Sequence, residues 1–194
     1  MQMQKQQESF AATLMRWSID DYHRLISTGV LEGRRVELIQ GNLIEMAPEG
    51  PMHSAKTSSG SEYLRERTRG LAIVREAHPI TLSDSEPEPD IALVRGTYTD
   101  YQEHHPYPED IFLLVEISKS TLAYDLSQKK QTYAEAGIPE YWVLDVEKLE
   151  VHVFQHPVQT GNSADYSNHK VIRSGSLQLA KIPEIVVDIS AFIA

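Results

Sequence analysis

The run Ile111-Phe112-Leu113-Leu114-Val115-Glu116-Ile117 is the most hydrophobic stretch of the chain. Near-continuous apolarity of this kind marks a strand covered on both faces, so it is expected at the centre of a sheet. Residues from Asp125 through Ala136 are good helix formers, Gly137 stands ready to end them, and Tyr141-Trp142-Val143-Leu144-Asp145 follows as another buried strand. The unit is strand, helix, strand.

The preceding chain supplies the smaller pieces. Ser18 with Asp21 three residues on, then Tyr22, Leu25 and Ile26, predicts a capped helix that stops at Gly29. Arg35–Gln40 and Asn42–Met46 predict a hairpin turning at Gly41, which starts the sheet edge. A helix is expected over His53–Arg69 with Gly70 as its stop, then short strands at Leu71–Val74, Pro79–Leu82 and Asp90–Val94. Arg95 to Asp110 reads as a long loop. Val151–Gln155 and Lys170–Ser174 are further strands around a polar turn from Gly161 to Asn168, and Ile182–Ile193 is an apolar tail.

With 194 residues and 41% hydrophobic content, residues 16–194 suit one domain, preceded by a flexible, Gln-rich segment over 1–15. A formal charge of −10 argues against general coating of phosphate backbones, so any nucleic-acid contact is expected to be local. The chain has no Cys, which excludes disulfides, thiolate zinc, iron–sulfur clusters and cysteine nucleophiles. No apolar run nears the roughly 18 residues of a membrane span, and the polar start has no signal-peptide core. A soluble, cytoplasmic protein is expected.

Glu116 is out of place for packing alone. A buried carboxylate costs several kcal/mol unless it is paired, hydrogen-bonded or on a metal, and strand ends are where ligands gather in α/β sheets. A second acid, Asp90, follows Pro89 at the mouth of the Ile91–Val94 strand, although Glu86–Asp90 also reads as a plain acidic turn. Glu37 lies between Val36 and Leu38, where strict alternation places it on a solvent face. Three acids on neighbouring strands repel, and oxygen ligation suits Mg²⁺ or Mn²⁺, which can activate water against a phosphodiester. The helix after Glu116 offers Lys129 and Lys130, and periodicity lets either reach the site.

Several motifs in order carry a resemblance: Val36–Gly41 with Asn42–Met46, Gly50–His53, Pro89–Val94, Leu114–Ser118, Tyr124–Leu126 leading to Lys129, Tyr133-Ala134, Gly137-Ile138 and Glu140–Asp145. Together they resemble the Uma-type endonucleases (domain of unknown function 820) of the PD-(D/E)XK nuclease superfamily. The resemblance implies an α/β (α+β) restriction-endonuclease-like core, a mixed sheet flanked by helices with additional antiparallel strands. It also implies Asp90 and Glu116 as the metal pair, Glu37 as an auxiliary acid, His53 bordering the site, and a homodimer. Ser118 stands where the superfamily's E-X-K lysine would be, and Lys119 falls on the wrong face. Lys129 occupies the position from which the family supplies its lysine on the following helix, with Lys130 as fallback.

The leading expectation is a Mg²⁺-dependent endonuclease acting on DNA, with Arg65, Arg67 and Arg69 gathered on a groove by dimerisation. A nuclease-like binding or assembly module without turnover is the alternative, and a hydrolase of smaller phosphate esters a third. His104 and His105 read as incidental, Asp125 as a helix cap or first-turn acid, and Tyr141 and Trp142 as core or subunit contact. Asp145 is ambiguous.

Overall fold

The structure, a computed structural model, describes residues 13–161 and 163–194. The segment expected over 1–15 lies, up to residue 12, outside the described residues. Six strands form one sheet in the order β3 (Ile73–Glu76), β4 (Ile91–Val94), β5 (Ile111–Ser118), β6 (Glu140–Asp145), β7 (Glu150–Thr160), β8 (Ser163–Ile172). Only β5 and β6 run parallel. That parallel pair needs a crossover, which the helical segment between the strands supplies.

Both faces of the sheet are covered, as the apolar run requires. On one face Leu93, Leu113, Val115, Trp142 and Val153 pack with Leu64 of α2 (Pro51–Arg67) and with Phe192 of α5 (Ile189–Ile193). The C-terminal apolar stretch includes β10 (Val186–Asp188), paired with β9 (Ser176–Gln178). On the other face Leu114, Val143 and Phe154 pack with Tyr133 and Ala134 of α4 (Lys130–Glu135). A short α3 (Leu122–Tyr124) and a π-helical turn (Asp125–Lys129) precede α4.

The capping box at α1 (Ile19–Ser27) forms as the sequence predicts. Ser18 Oγ accepts from Asp21 N at 3.1 Å, and Asp21 Oδ2 accepts from Ser18 N at 3.3 Å. The first hairpin, β1 (Val36–Ile39) with β2 (Asn42–Glu45), turns through Gln40 and Gly41, both at positive φ, as a two-residue primed turn demands. Contrary to expectation it does not start the main sheet. It forms a separate two-stranded sheet, joined by a Leu38–Glu86 bridge to the acidic segment before β4.

Three other expectations change. Pro79–Leu82 is not a strand, because its backbone bonds go to loops: Ile80 N to Pro87 O and Thr81 N to Pro106 O. The polar stretch expected to be a turn over Gly161–Asn168 is mostly strand, with Thr160 paired to Ser163 in a long β7–β8 hairpin. The Arg95–Asp110 loop contains two 3₁₀ turns, Tyr98–Tyr101 and Pro108–Asp110.

Candidate active site

The side-chain alternation of β5 sends Leu113, Val115 and Ile117 to the α2 face, and Leu114 with Glu116 to the α4 face. Glu116 is therefore buried against the helical crossover. Ile91 pairs with Val115, so Asp90 lies one rung on, beside Glu116. Asp90 Oδ2 accepts from Ile117 N at 2.7 Å and from His53 Nε2 at 3.0 Å. Glu116 Oε1 accepts from Lys129 Nζ at 3.0 Å and from Tyr133 OH at 2.9 Å. Glu37 Oε2 stands 3.6 Å from the same ammonium. The fold thus gathers Asp90, Glu116, Lys129 and Glu37, with His53 at the edge.

Local backbone decides which lysine arrives. The wider π turn over Asp125–Lys129 ends with Lys129 turned inward and buried; such turns recur at functional sites. Lys130, one residue on, leaves in another direction, to Asp165 at 2.8 Å and over the Phe154 ring. Helical periodicity cannot separate the two because the π turn breaks it.

One reading of an acid is corrected: Glu37 is 2% exposed rather than solvated, since β1 is covered on both sides and alternation stops being informative there. Asp125 is the expected first-turn acid, opening the π-helical turn and ending α3, and it is also buried, where it accepts from Ser118 Oγ at 2.7 Å. Ser118, at the E-X-K lysine position, thereby fixes a further carboxylate.

Burial and mutual repulsion govern the charges. Burial pushes the Glu116 carboxyl well up, the Lys129 ammonium pulls it back, and Asp90, Asp125 and Glu37 push it up again. Asp125 is raised by burial, against Lys129 and the hydroxyls of Thr121 and Ser118. Burial works against charge on Lys129, yet Glu116, Glu37 and Asp125 together outweigh it and hold the ammonium protonated. His53 is raised through its bond to Asp90. Tyr124 is pushed up to about 12 by burial, with Glu37 adding to it.

These groups border a cavity of about 480 Å³ whose ionisable lining comprises the acids Glu37, Glu45, Glu49, Glu88, Asp90, Glu116 and Asp125, the cations Arg35, Lys119 and Lys129, and His53. Sequence reasoning missed Glu88, Arg35, Tyr124 and Tyr133 as site residues. Glu88 was adjacent to the Pro89-Asp90 signal, and Tyr124 and Tyr133 stood in the family motifs without a site role, but nothing in the pattern marked Arg35. Arg65, Arg67 and Arg69 do not border the cavity. His53 opens α2 and Arg67 closes it, roughly 20 Å along at 1.5 Å per residue, and Arg65 is engaged by Glu76 at 3.2 Å. His104 stacks on Tyr107 away from the cavity, and His105 does not line it. Tyr141 and Trp142 are core residues, while Asp145 Oδ1 accepts from Glu147 N and Lys148 N in the turn before β7.

The donor set suits a hard divalent ion. Three carboxylates, Glu116, Glu37 and Asp125, act on one buried ammonium, and Asp90 adds a fourth negative charge beside Glu116, an excess that oxygen-seeking cations relieve. Among the described residues no three acid or imidazole groups converge as a cation cage. No described helix is long and apolar enough to cross a membrane.

The architecture matches a solved structure, described as a "putative nuclease belonging to DUF820" from Anabaena variabilis, with a TM-score of 0.67 at 14% identity, covering 91% of this chain and 97% of that one. The mixed sheet flanked by helices is the fold that this chain shares with that structure. Residues 19–188 match the Uma2 family, described as "Putative restriction endonuclease", and the chain belongs to that family. Weaker sequence similarity reaches ClpB chaperones: 28% identity over 88 residues for that of Rickettsia conorii and 26% over 123 residues for that of Rhizobium meliloti. Those stretches cover 45% and 63% of this chain, and the chain spans only 10% and 13% of those two chaperones.

Proposed function

We propose that this protein is a Mg²⁺- or Mn²⁺-dependent endonuclease that hydrolyses DNA phosphodiester bonds, working as a homodimer. The observation that carries the reading is the buried Lys129 ammonium at 3.0 Å from Glu116, on the rung next to Asp90, at the wall of an open cavity. Asp90 and Glu116 would hold the ion, which when bound makes water more acidic and offsets charge on a phosphoryl oxygen.

The chain's own groups divide the remaining work. Lys129 stays protonated, so it serves as a donor and not as a base: it orients the attacking water and stabilises charge that develops on the phosphate. Glu37 steadies that ammonium from its second side. Arg35 and Lys119 at the cavity wall meet flanking phosphates in an otherwise acidic surround. A module without turnover draws on the displaced lysine together with the net charge of −10; the approach of Lys129 to Glu116 weakens the first and leaves the second.

Incubating the purified chain with plasmid and with single-stranded DNA, beside nucleotides as smaller phosphate esters, tests the reading. DNA cleavage is expected with Mg²⁺ or Mn²⁺ and none in EDTA. Asp90→Ala should lower the rate at least about 100-fold while leaving the circular dichroism spectrum unchanged. Metal-dependent cutting retained by Asp90→Ala would reject the assignment; binding without hydrolysis would return the module.

A further inference from the structure

The two carboxylates of the site are tied down in the same way, each by one oxygen. Glu116 Oε1 accepts from both Tyr133 OH and Lys129 Nζ, whereas no hydrogen bond from the described residues reaches Oε2. Asp90 Oδ2 accepts from both His53 Nε2 and Ile117 N, whereas none reaches Oδ1. Both residues line the cavity, so the uncommitted oxygens are those left for it.

Tyr133 is fully buried, with its ring edge-on to Tyr141 at a centroid distance of 4.9 Å. A phenylalanine would pack there equally well. A buried phenol hydroxyl needs a partner, and this one spends its proton on Glu116. His53 occupies the first turn of α2, two residues after Pro51, where the helix start fixes its position and its ring reaches Asp90.

Resting on the nuclease reading above, we propose that Tyr133 and His53 are positioning residues that commit one oxygen of each carboxylate, leaving Glu116 Oε2 and Asp90 Oδ1 as the atoms presented to the divalent ion. Outer-shell donors of this kind fix the orientation of ligand groups, and their loss typically weakens metal binding 10- to 100-fold. Neither residue touches the ion in this arrangement.

The test measures Mn²⁺ binding to the full chain by electron paramagnetic resonance and calorimetry, without DNA. Tyr133→Phe removes one oxygen and keeps the ring, and it should weaken Mn²⁺ binding by about 10- to 100-fold. Tyr141→Phe is the matched control, because its hydroxyl, equally buried, donates to the Asp125 backbone carbonyl at 3.1 Å and not to a side-chain carboxylate. Its Mn²⁺ affinity should stay at the wild-type value, whatever its melting temperature. His53→Ala should lose affinity as Tyr133→Phe does, and His53→Gln, whose amide can donate to the same oxygen, should recover most of it. Wild-type affinity in Tyr133→Phe, or an equal loss in Tyr141→Phe, overturns the inference while the nuclease reading stands. Absence of Mn²⁺ binding by the wild-type chain overturns both.

Discussion

Glu140 is fully buried at the start of β6, and no cation pairs with it among the described residues. Its carboxyl instead accepts from Trp142 Nε1 at 2.7 Å, Gln155 Nε2 at 3.0 Å and Ala180 N at 2.7 Å. Burial raises its pKa and these three bonds only partly offset the rise. A carboxyl raised on folding contributes stability that is fully present below its unfolded value, ordinarily near 4.5, and lost as pH climbs through the folded value. Glu140→Gln keeps an acceptor for two of the donors but turns an amide toward a third. It should cost roughly 1–3 kcal/mol in urea unfolding at pH 5, and the gap to wild type should narrow as pH rises toward 8. A gap that widens over that range would mean that Glu140 is held as the anion. The contrast with Glu116 is instructive at this scale: both acids interrupt strands, but Glu116 has an ammonium and a cavity beside it, whereas Glu140 has neutral donors and a structural task.

Among the elements, α2 depends on a residue that helix propensity disfavours. A Cβ on Gly60 would stand 3.0 Å from Phe192 and 3.3 Å from Ile91, so glycine lets the helix lie close on α5 and β4. Gly60→Leu should overpack that seam and destabilise by about 1–3 kcal/mol or more in thermal or urea unfolding, despite leucine's better propensity. A neutral or stabilising result would mean that the C-terminal helix yields. This packing explains how a Ser- and Gly-rich sequence still forms α2, two residues longer at its start than expected, while Ser18 and Asp21 announced α1 through side-chain bonds local to the chain. The same division runs through the site. Glu116 was legible because a lone acid in an apolar run conflicts with burial, and Asp90 because proline set it at a strand mouth. Glu37 was reached only through the family resemblance and Asp125 only as a first-turn acid, because their burial comes from elements distant in sequence and from a π turn that no regular period describes. The extent of β8 escaped notice for a related reason: it is an edge strand rich in polar residues, fixed by pairing with β7 rather than by its own composition.

For the molecule as a whole, the question is how a chain of charge −10 approaches a polyanion. The basic cluster near the end of α2 does not answer it, since Arg65 is paired with Glu76 and Arg67 lies over the Tyr63 ring, at the far end of the helix from the cavity. The cations at the cavity are Arg35, Lys119 and Lys129, and Arg35 is itself engaged by Glu49 at 2.7 Å. On the proposed function, contact with DNA would be limited to a few phosphates, with divalent ions carrying much of the neutralisation. Each phosphate contact contributes about −0.9 to the slope of log K against log salt on duplex DNA, so two or three contacts per subunit predict a slope of roughly −2 to −3. Fluorescence anisotropy of a labelled duplex, titrated with salt at fixed Mg²⁺ using the Lys129→Met variant to suppress cleavage, measures it, and the loss of that one cation should leave the slope near the lower bound. A value beyond about −6 would require many more phosphate contacts than the cavity supplies, and would place the DNA across the α2 arginines of paired subunits instead. A shallow slope would follow from the same arrangement as the acid-lined cavity, one in which affinity for nucleic acid would be conditional on an ion drawn by the carboxylates.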